Sequence, residues 1–258
     1  MEVAGFSLEI LFYLLAVAVI AGFLDTLAGG GGLLSLPALI LSGIPPIVAL
    51  GTNKLQGSMG TATATWMMFR KKKVSFDDVK LLMLSAFIGS ALGSITVQFM
   101  DTELLDFIVP GVLFMIAIYF LISPRASEND TREKISRKKY QTFIVPAIGW
   151  YDGMFGPGTG SFFALAGVSL RGHGLIKSTA IAKTLNFATN FASLLIFLMA
   201  GKVVWVVGLL MMVGQFAGAW LGSHFLFKIN PRILKFIVVI MCLGMLIKYA
   251  HDMGWIQL

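Results

Sequence analysis

The sequence predicts an all-α membrane protein built from two inverted repeats, and three observations support this prediction. Of the 258 residues, 57% are apolar and only 13% are charged, whereas about a quarter of the residues in an average soluble domain are charged. Ten apolar stretches follow one another along the chain, and the last five resemble the first five. This composition excludes an ordinary soluble enzyme, a disordered chain and a nucleic-acid-binding domain, so we expect lipid rather than nucleic acid around the protein.

Most of the ten apolar stretches are long enough to cross the ~30 Å hydrocarbon core of a bilayer. The second and seventh, at 33–42 and 160–170, reach only about half of that thickness. Each of them follows a glycine-rich cluster, 29–32 or 156–160, which predicts a helix broken within the membrane. The ten stretches cover 7–28, 33–42, 46–69, 76–98, 103–123, 140–156, 160–170, 176–200, 203–227 and 231–250.

An internal repeat divides the chain into two parts of similar length. A first repeat, 1–123, and a second repeat, 140–258, flank a polar and basic linker, 124–139, which we expect in the cytoplasm. The alignment includes rare ionisable residues, so shared apolar composition does not explain it. The aligned pairs include Lys54 with Lys183, Phe87 with Phe216 and Gly89 with Gly218, at an offset of 129, and Asp25 with Asp152 and Gly29 with Gly156, at an offset of 127.

Loop charges predict that the two repeats have opposite orientations. Basic loops of membrane proteins generally stay on the cytoplasmic side. Each repeat then makes an odd number of crossings, and both chain termini lie on the other side of the membrane. Three pairs of counterpart loops differ in charge. Loop 70–73 is basic and its counterpart 201–202 has one lysine; loop 101–103 is acidic and its counterpart 228–232 is basic; loop 42–45 is uncharged and its counterpart 171–177 is basic.

Four ionisable residues lie well inside apolar stretches, where charges are costly and often functional. Asp25 and Asp152 each precede a glycine cluster by about one helical turn. They could carry a coupling proton, accept hydrogen bonds from backbone N–H groups of the broken helix, or pair with a lysine, and we favour the last two roles. Lys54 and Lys183 could contact an anion directly or form purely structural salt bridges with these aspartates.

The glycine clusters predict an anion site because the start of a half-helix presents free N–H groups and a positive dipole end. Nearby hydroxyl and amide groups would orient an oxyanion, whereas Gly57 and Thr61 are assigned to helix packing. No cofactor or metal is predicted, since the three histidines lack ligand spacing. The predicted substrate-binding residues are Gly29, Gly30, Gly31, Gly32, Thr52, Asn53, Lys54, Gln56, Gly156, Gly158, Gly160, Lys183, Asn186 and Asn190.

These motifs resemble those of a known family, the TauE/SafE anion permeases. The resemblance extends over nearly the whole chain. It implies a bacterial inner-membrane permease for sulfur-containing oxyanions, usually sulfite or small organosulfonates, that often works as an exporter. The matching segments are Gly22–Asp25 with the glycine cluster that follows, Leu50–Gln56, Tyr151–Gly153, Phe155–Pro157, and the residues Ala182, Lys183, Leu185 and Asn186.

The sequence therefore predicts a secondary transporter that works by alternating access, with a site near the membrane midplane between the repeats. The predicted partners of the transporter are a small anionic substrate and the lipid bilayer. Coupling to protons and formation of a homodimer are both possible on the sequence. An anion channel is the first alternative. An intramembrane aspartyl protease is the second, although Gly22–Asp25 lacks the expected Gly-x-Gly-Asp order. No P-loop motif indicates ATP-driven transport.

Overall fold

The computed structural model describes residues 2–3, 5–122, 130–225 and 231–255, and the described part is almost entirely helical. A short antiparallel hairpin of β1 (Glu2–Val3) and β2 (Phe6–Ser7) precedes the first helix. The helices of the first half are α1 (Leu8–Ala28), α2 (Gly32–Leu41), α3 (Pro46–Arg70), α4 (Phe76–Gln98) and α5 (Thr102–Ile122). Those of the second half are α6 (Arg137–Lys139), a π-helical turn (Tyr140–Ile144), α7 (Val145–Met154), α8 (Thr159–Arg171), α9 (Leu175–Met199), α10 (Trp205–Phe225) and α11 (Pro231–Asp252).

The predicted all-α membrane fold is confirmed, because each of the ten apolar stretches forms a helix. Among the described residues, five helices are both long enough and apolar enough to cross a bilayer: α1, α4, α5 up to Tyr119, α9 and α10. Helix α3 has 25 residues but carries Lys54 and many small polar residues. The short helix α6, the π-helical turn and α7 run on without interruption and together reach about 27 Å.

Both helix breaks occur at the predicted glycine clusters. Helix α1 ends at Gly29, whose φ of 72° lies in the left-handed region that a side chain disfavours. The second break uses two such residues, Gly156 with φ 99° and Gly158 with φ 83°. Glycine is therefore required here by backbone conformation, and helices α2 and α8 restart within a few residues.

Glycines also bring two pairs of helices into backbone contact. A Cβ atom on Gly89 of α4 would overlap the carbonyl oxygen of Pro146 in α7, and one on Gly218 of α10 would overlap that of Val19 in α1. Gly218 and Val19 are the aligned counterparts of Gly89 and Pro146. Further along the same helices, Gly93 and Gly222 meet Trp150 and Phe23 in the same way. Small residues at such interfaces allow the close approach, and each pair joins one helix from each half of the chain.

The basic loops meet on one side of the helix bundle, which we call the basic face. Here the Lys71 Nζ atom donates to the Ser223 carbonyl at 2.6 Å, and Arg137 donates to the Asp78 carbonyl at 2.6 Å. The backbone N–H of Thr131 donates to the carbonyl of Gly172 at 2.7 Å. Part of the predicted linker, with Arg125, and the side chains of Lys228 and Arg232 lie outside the described residues.

The less basic loops and the end of α11 lie away from the basic face. The Val204 N–H donates to Thr52 Oγ1 at 2.9 Å, which joins the loop before α10 to the first turns of α3. The ring of Phe107 stacks on Trp255 with 5.0 Å between centroids, so the start of α5 lies beside the end of α11. The grouping of loops by charge follows the pattern that the positive-inside rule describes.

Candidate functional site

The two helix breaks touch each other in the interior of the bundle. A Cβ atom on Gly160 would lie 3.2 Å from the Cα atom of Gly29, and one on Gly29 would lie 2.7 Å from the backbone nitrogen of Ser161. The Ser161 hydroxyl donates a hydrogen bond to the carbonyl of Ala28, the last residue of α1. The glycines therefore serve a second purpose besides conformation, since they allow the two breaks to lie side by side.

At the first break, Asp25 organises the backbone. Its carbonyl accepts a hydrogen bond from Gly29 N–H at 2.7 Å, and its carboxylate oxygen Oδ1 accepts one from Gly31 N–H at 3.1 Å. No described side chain caps the first turn of α2, which begins at Gly32. The carboxylate thus binds backbone at the break, which is one of the roles considered for it. The next three N–H groups of α2 donate to backbone carbonyls of the break, which leaves that of Gly32 without an acceptor among the described residues.

At the second break, Asp152 forms an ion pair with Lys54. The Lys54 Nζ atom lies 3.1 Å from Asp152 Oδ2 and also donates to the Asp152 backbone carbonyl. Both side chains are about 1% exposed. The Tyr151 hydroxyl donates to the Pro157 carbonyl at 2.6 Å, and Thr159 Oγ1 donates to the Gly156 carbonyl at 2.7 Å. These bonds hold the second break in place from both sides.

Lys183 makes the contact that corresponds to that of Lys54. Its Nζ atom donates to the backbone carbonyl of Asp25, just as Lys54 donates to that of Asp152. Within the described part of the chain, however, Lys183 has no ion pair with a carboxylate. Each lysine therefore reaches the break of the other half of the chain, and only one of the two bonds an aspartate side chain.

A small cavity lies where the two breaks meet, and its space for water is about 40 Å³. Of the sixteen residues predicted for the site or for coupling, thirteen line this cavity, and Gly30, Thr52 and Lys183 do not. The thirteen are Asp25, Gly29, Gly31, Gly32, Asn53, Lys54, Gln56, Asp152, Gly156, Gly158, Gly160, Asn186 and Asn190. Both half-helix starts and both aspartates thus share one polar space.

Hydrogen bonding among the amides leaves donors for this cavity. Asn53 Oδ1 accepts from the Ser35 hydroxyl at 2.6 Å and from Gln56 Nε2 at 2.7 Å. Asn186 Oδ1 accepts from Asn190 Nδ2 at 3.1 Å. The oxygens of Asn53 and Asn186 are therefore occupied, whereas their NH₂ groups have no acceptor among the described residues. Two amide donors remain for a ligand.

Thr52 takes no part in the cavity. Its hydroxyl donates to the Val48 carbonyl at 2.8 Å and accepts from Val204 N–H at 2.9 Å. The side chain is fully buried between α3 and the loop before α10, so its hydrogen bonds join two elements of the fold. No local motif indicates Val204 as a partner, because the two residues are 152 positions apart.

Five cavity residues were not predicted as site residues: Ser35, Gly57, Thr61, Thr159 and Gln215. Gln215 is 4% exposed and forms no hydrogen bond with any described residue, so a buried amide without a protein partner lines the cavity. It is the single side-chain amide in the apolar helix α10. Its aligned counterpart in the first half of the chain is Ala86 of α4. An isolated amide in a membrane helix is the signal that would have found it.

The described residues contain no group of three or more His, Cys, Asp or Glu side chains that could hold a metal ion. Charged groups of the chain line the cavity. Lys54 and the starts of two helices contribute positive charge, and the Asp25 and Asp152 carboxylates contribute negative charge. The carboxylates outnumber the lysine, so the attraction for a ligand that accepts several hydrogen bonds comes from the helix starts and the amide donors.

Comparisons with known proteins give the family. A family model described as "Sulfite exporter TauE/SafE" matches residues 14–249. A "Probable membrane transporter protein" of Haemophilus influenzae is 39% identical over 249 residues, which cover 96% of this chain and 98% of that protein. The "Probable membrane transporter protein YfcA" of Escherichia coli K12 is 41% identical over 250 residues, with 97% and 92% covered.

A third relative, "Probable membrane transporter protein ORF9" of a Sinorhizobium species, is 40% identical over 246 residues, which cover 95% of this chain and 94% of that protein. No solved structure matches the chain. The family and these relatives are membrane transporters rather than enzymes. With a family match over most of its length, the chain belongs to the TauE/SafE sulfite exporter family of multi-pass membrane transporters.

Proposed function

We propose that the chain exports a small sulfur-containing oxyanion, such as sulfite, through a site formed by the two helix breaks. The observation that carries this proposal is the shared cavity, where two half-helix starts, the Lys54 ammonium paired with Asp152, the Asp25 carboxylate and unpartnered amide donors surround one space. Helix starts and charged donors bind oxyanions because they place several N–H groups and partial positive charge around the ligand oxygens.

The size of the cavity favours a small inorganic anion over a larger organosulfonate. A water molecule needs about 10–15 Å³ of such space, so 40 Å³ holds about three waters. Sulfite has four non-hydrogen atoms and would replace a similar number of waters. A larger sulfonate would require the breaks to move apart.

For the transport mechanism, we propose alternating access by two inverted repeats, 1–123 and 140–258, joined by the linker 124–139. The crossed contacts of Lys54 and Lys183 support a two-fold relation between the halves, as do the matching glycine contacts of α4 with α7 and of α10 with α1. A site at the interface of such repeats can be exposed to each side in turn when one part moves against the other.

For the orientation, we propose that the basic face is cytoplasmic and that both chain termini are periplasmic, in the bacterial inner membrane. The clustering of Lys71, Arg137 and Arg171 on one face supports this orientation. Export then means that the anion arrives from the basic face. Homodimer formation stays a prediction.

Proton coupling, if present, would involve Asp25 rather than Asp152. The Asp25 carboxylate is partly exposed, lines the cavity and is bound only by one backbone N–H group among the described residues. The Asp152 carboxylate is buried against Lys54. A proton that leaves and returns during transport needs an accessible carboxylate.

Counterflow in proteoliposomes tests the proposal. We expect labelled sulfite to enter vesicles that are preloaded with unlabelled sulfite, at a rate that saturates with concentration. The variant Gln215→Leu should raise the KM for sulfite about tenfold, since it removes one hydrogen bond to a charged ligand. Flux that does not saturate would favour the channel alternative and contradict alternating access.

Gln98→Leu is the matched control. Gln98 is also an amide in an apolar membrane helix, and its Nε2 atom is buried without a hydrogen-bond partner, but it does not line the cavity. Equal KM values for the Gln98→Leu variant and the unchanged protein are expected. Equal losses in both variants would remove the assignment of the cavity as the anion site.

A further inference from the structure

A second and larger cavity opens on the basic face. Its space for water is about 690 Å³, which lies within the range of about 300–1,000 Å³ that is typical of small-molecule sites. The exposed side chains of Lys73, Arg137 and Lys177 form its rim, and the buried side chains of Tyr140 and Phe163 form its floor. The lining therefore combines exposed charged side chains with buried aromatic ones.

Positive charge exceeds negative charge in this cavity. Four cationic side chains line it, those of Lys73, Arg137, Arg171 and Lys177, against the two carboxylates of Asp78 and Asp130. The Asp130 carboxylate already accepts a hydrogen bond from the Gly174 N–H, and Arg171 pairs with Glu133, which is not among the lining residues. Lys73 and Lys177 form no ion pair with any described residue, so their charges are available to a ligand.

The pKa of His173, which also lines this cavity, is lowered. Burial lowers the pKa of His173 below its usual value, and the charges of Lys177 and Arg171 lower it further, whereas Asp130 and Glu133 act in the opposite direction with smaller effect. His173 is therefore neutral at pH 7. The neighbouring cations thus add to the effect of burial, which disfavours a further positive charge here.

The floor offers a hydrogen-bond donor without a protein partner. Tyr140 is only 3% exposed, and its hydroxyl forms no hydrogen bond with any described residue. Buried hydroxyl groups are normally bonded, because loss of water without a replacement costs free energy. A ligand oxygen in the cavity would satisfy this group.

The large cavity lies close to the small one. In α8, Phe163 lines the large cavity and Thr159 lines the small cavity, one helical turn or about 6 Å away along the helix axis. In α9, Ile181 lines the large cavity and Asn186 lines the small cavity. The Phe163 side chain is 1% exposed and fills part of the space between them.

We propose that the large cavity is a vestibule that binds small oxyanions on the basic face before they move to the small cavity. Lys73 and Lys177 attract the anion at the rim, and Tyr140 donates a hydrogen bond to it at the floor. The identity of the anion rests on the proposed transport function. Phe163 separates the vestibule from the small cavity and has to move for the anion to pass.

Transport kinetics with oriented vesicles test the vestibule. Lys177→Glu should raise the KM for sulfite presented at the basic face about threefold, because it reverses one rim charge near a divalent anion in screened water. The maximal rate, and the KM from the opposite face, should stay unchanged. A change from both faces, or in the maximal rate, would contradict a vestibule.

Lys138→Glu is the control for this charge reversal. Lys138 is exposed on the same basic face but does not line the vestibule. Its substitution should leave the KM from either face unchanged. If both substitutions raise the KM equally, the general charge of the face is responsible and the vestibule is not.

Thiol labelling tests the vestibule independently of the transport function. The single native cysteine, Cys242, is buried, so a cysteine introduced by Ile181→Cys would react above a low background. A negatively charged methanethiosulfonate should modify it at least about threefold faster than a positively charged one, after correction for their rates with a free thiol. Adding Lys177→Glu should abolish that preference.

The two proposals fail in different ways. Absence of sulfite flux together with the charge preference would contradict the transported substrate and leave the vestibule supported. Sulfite flux without any charge preference, or no reaction at all, would overturn the vestibule and leave the transport function standing.

Discussion

The two helix breaks use the same residue types in different ways. At the second break, Asp152 is fully buried and its carboxylate pairs with Lys54 at 3.1 Å. At the first break, Lys183 bonds only the backbone carbonyl of Asp25, and the carboxylate of Asp25 accepts from Gly31 N–H. Sequence-equivalent residues therefore form one closed ion pair and one open arrangement.

This difference separates a structural role from a functional one. A buried ion pair is difficult to change, because removal of either partner leaves an uncompensated charge away from water. A partly exposed carboxylate beside a cavity can respond to a ligand or to a proton at much lower cost. We therefore expect Asp152 to hold the fold and Asp25 to adjust during transport.

Substitution of the two aspartates should have the largest effect on the free energy of unfolding. Equal effects of the two substitutions would contradict the difference between the two breaks. Asp152→Asn should lower the free energy of unfolding by about 3–5 kcal/mol, because buried Lys54 loses its partner. Asp25→Asn should lower it by only about 1 kcal/mol, since an amide oxygen still accepts from the backbone. Denaturant unfolding in detergent measures both, and equal losses would show that the two breaks are equivalent.

Alanine at the glycines tests what each break can accommodate. At Gly29 a Cβ atom would meet backbone, 2.7 Å from Ser161 N, whereas at Gly156 it would meet the flexible Lys54 Nζ at 2.9 Å. We expect Gly29→Ala to abolish sulfite transport and destabilise the fold by about 2–3 kcal/mol through strain and overlap. Gly156→Ala should also strain the backbone, because the φ of Gly156 is 99°, and it should in addition weaken sulfite binding by displacing Lys54.

Gly43→Ala is the control for backbone strain in this experiment. Gly43 also has a positive φ, 82°, but a Cβ atom there would meet nothing within 4 Å. It should cost about 1 kcal/mol of stability and leave transport intact. An equal loss of transport from Gly43→Ala and Gly29→Ala would mean that strain alone, rather than contact between the breaks, is responsible.

Replacing each lysine with an uncharged residue should have a moderate effect on sulfite affinity, and the size of that effect should differ between the two breaks. Lys54→Gln combined with Asp152→Asn removes both charges of the pair, and we expect sulfite affinity to fall about tenfold because a charged donor leaves the cavity. Lys183→Gln should change affinity by less than about threefold, because Lys183 does not line the cavity. Isothermal titration of purified protein with sulfite distinguishes these outcomes, and a larger loss from Lys183→Gln would reverse our assignment.

The smallest expected effect comes from Thr52→Val. It removes one hydrogen bond to Val204 N–H and one to the Val48 carbonyl without changing the size of the side chain, so stability should fall by about 1–2 kcal/mol. The dissociation constant for sulfite should be unchanged. A weaker affinity with unchanged stability would return Thr52 to the anion site.

Much of the fold could be predicted because its signals are local. The sequence shows these signals within a few neighbouring residues: a long apolar stretch predicts a membrane helix, a glycine cluster predicts a break, and a charge in an apolar stretch is rare. The same reasons made Asp25, Lys54 and the glycine clusters of the site predictable, since an ionisable group or a glycine run is conspicuous in an apolar helix.

The rest depends on contacts between distant segments. The crossed pattern, in which Lys54 reaches Asp152 and Lys183 reaches Asp25, is set by how α3 and α9 pack, and no short motif encodes it. Gln215 was missed because its importance comes from the absence of a partner in three dimensions. Thr52 lies outside the cavity, and this could not be foreseen, since a hydroxyl beside a lysine looks the same in sequence whether it binds a ligand or a backbone N–H.

The crossed lysine contacts also constrain how the chain is made. Lys54 leaves the ribosome 98 residues before the aspartate that neutralises it. At translation rates of about 5–20 residues per second, that interval is about 5–20 s. During this time the ammonium group, which costs about 3 kcal/mol at the centre of a lone helix, needs temporary shelter in water or in the insertion machinery. Newly made α3 therefore settles in lipid only after the later helices arrive.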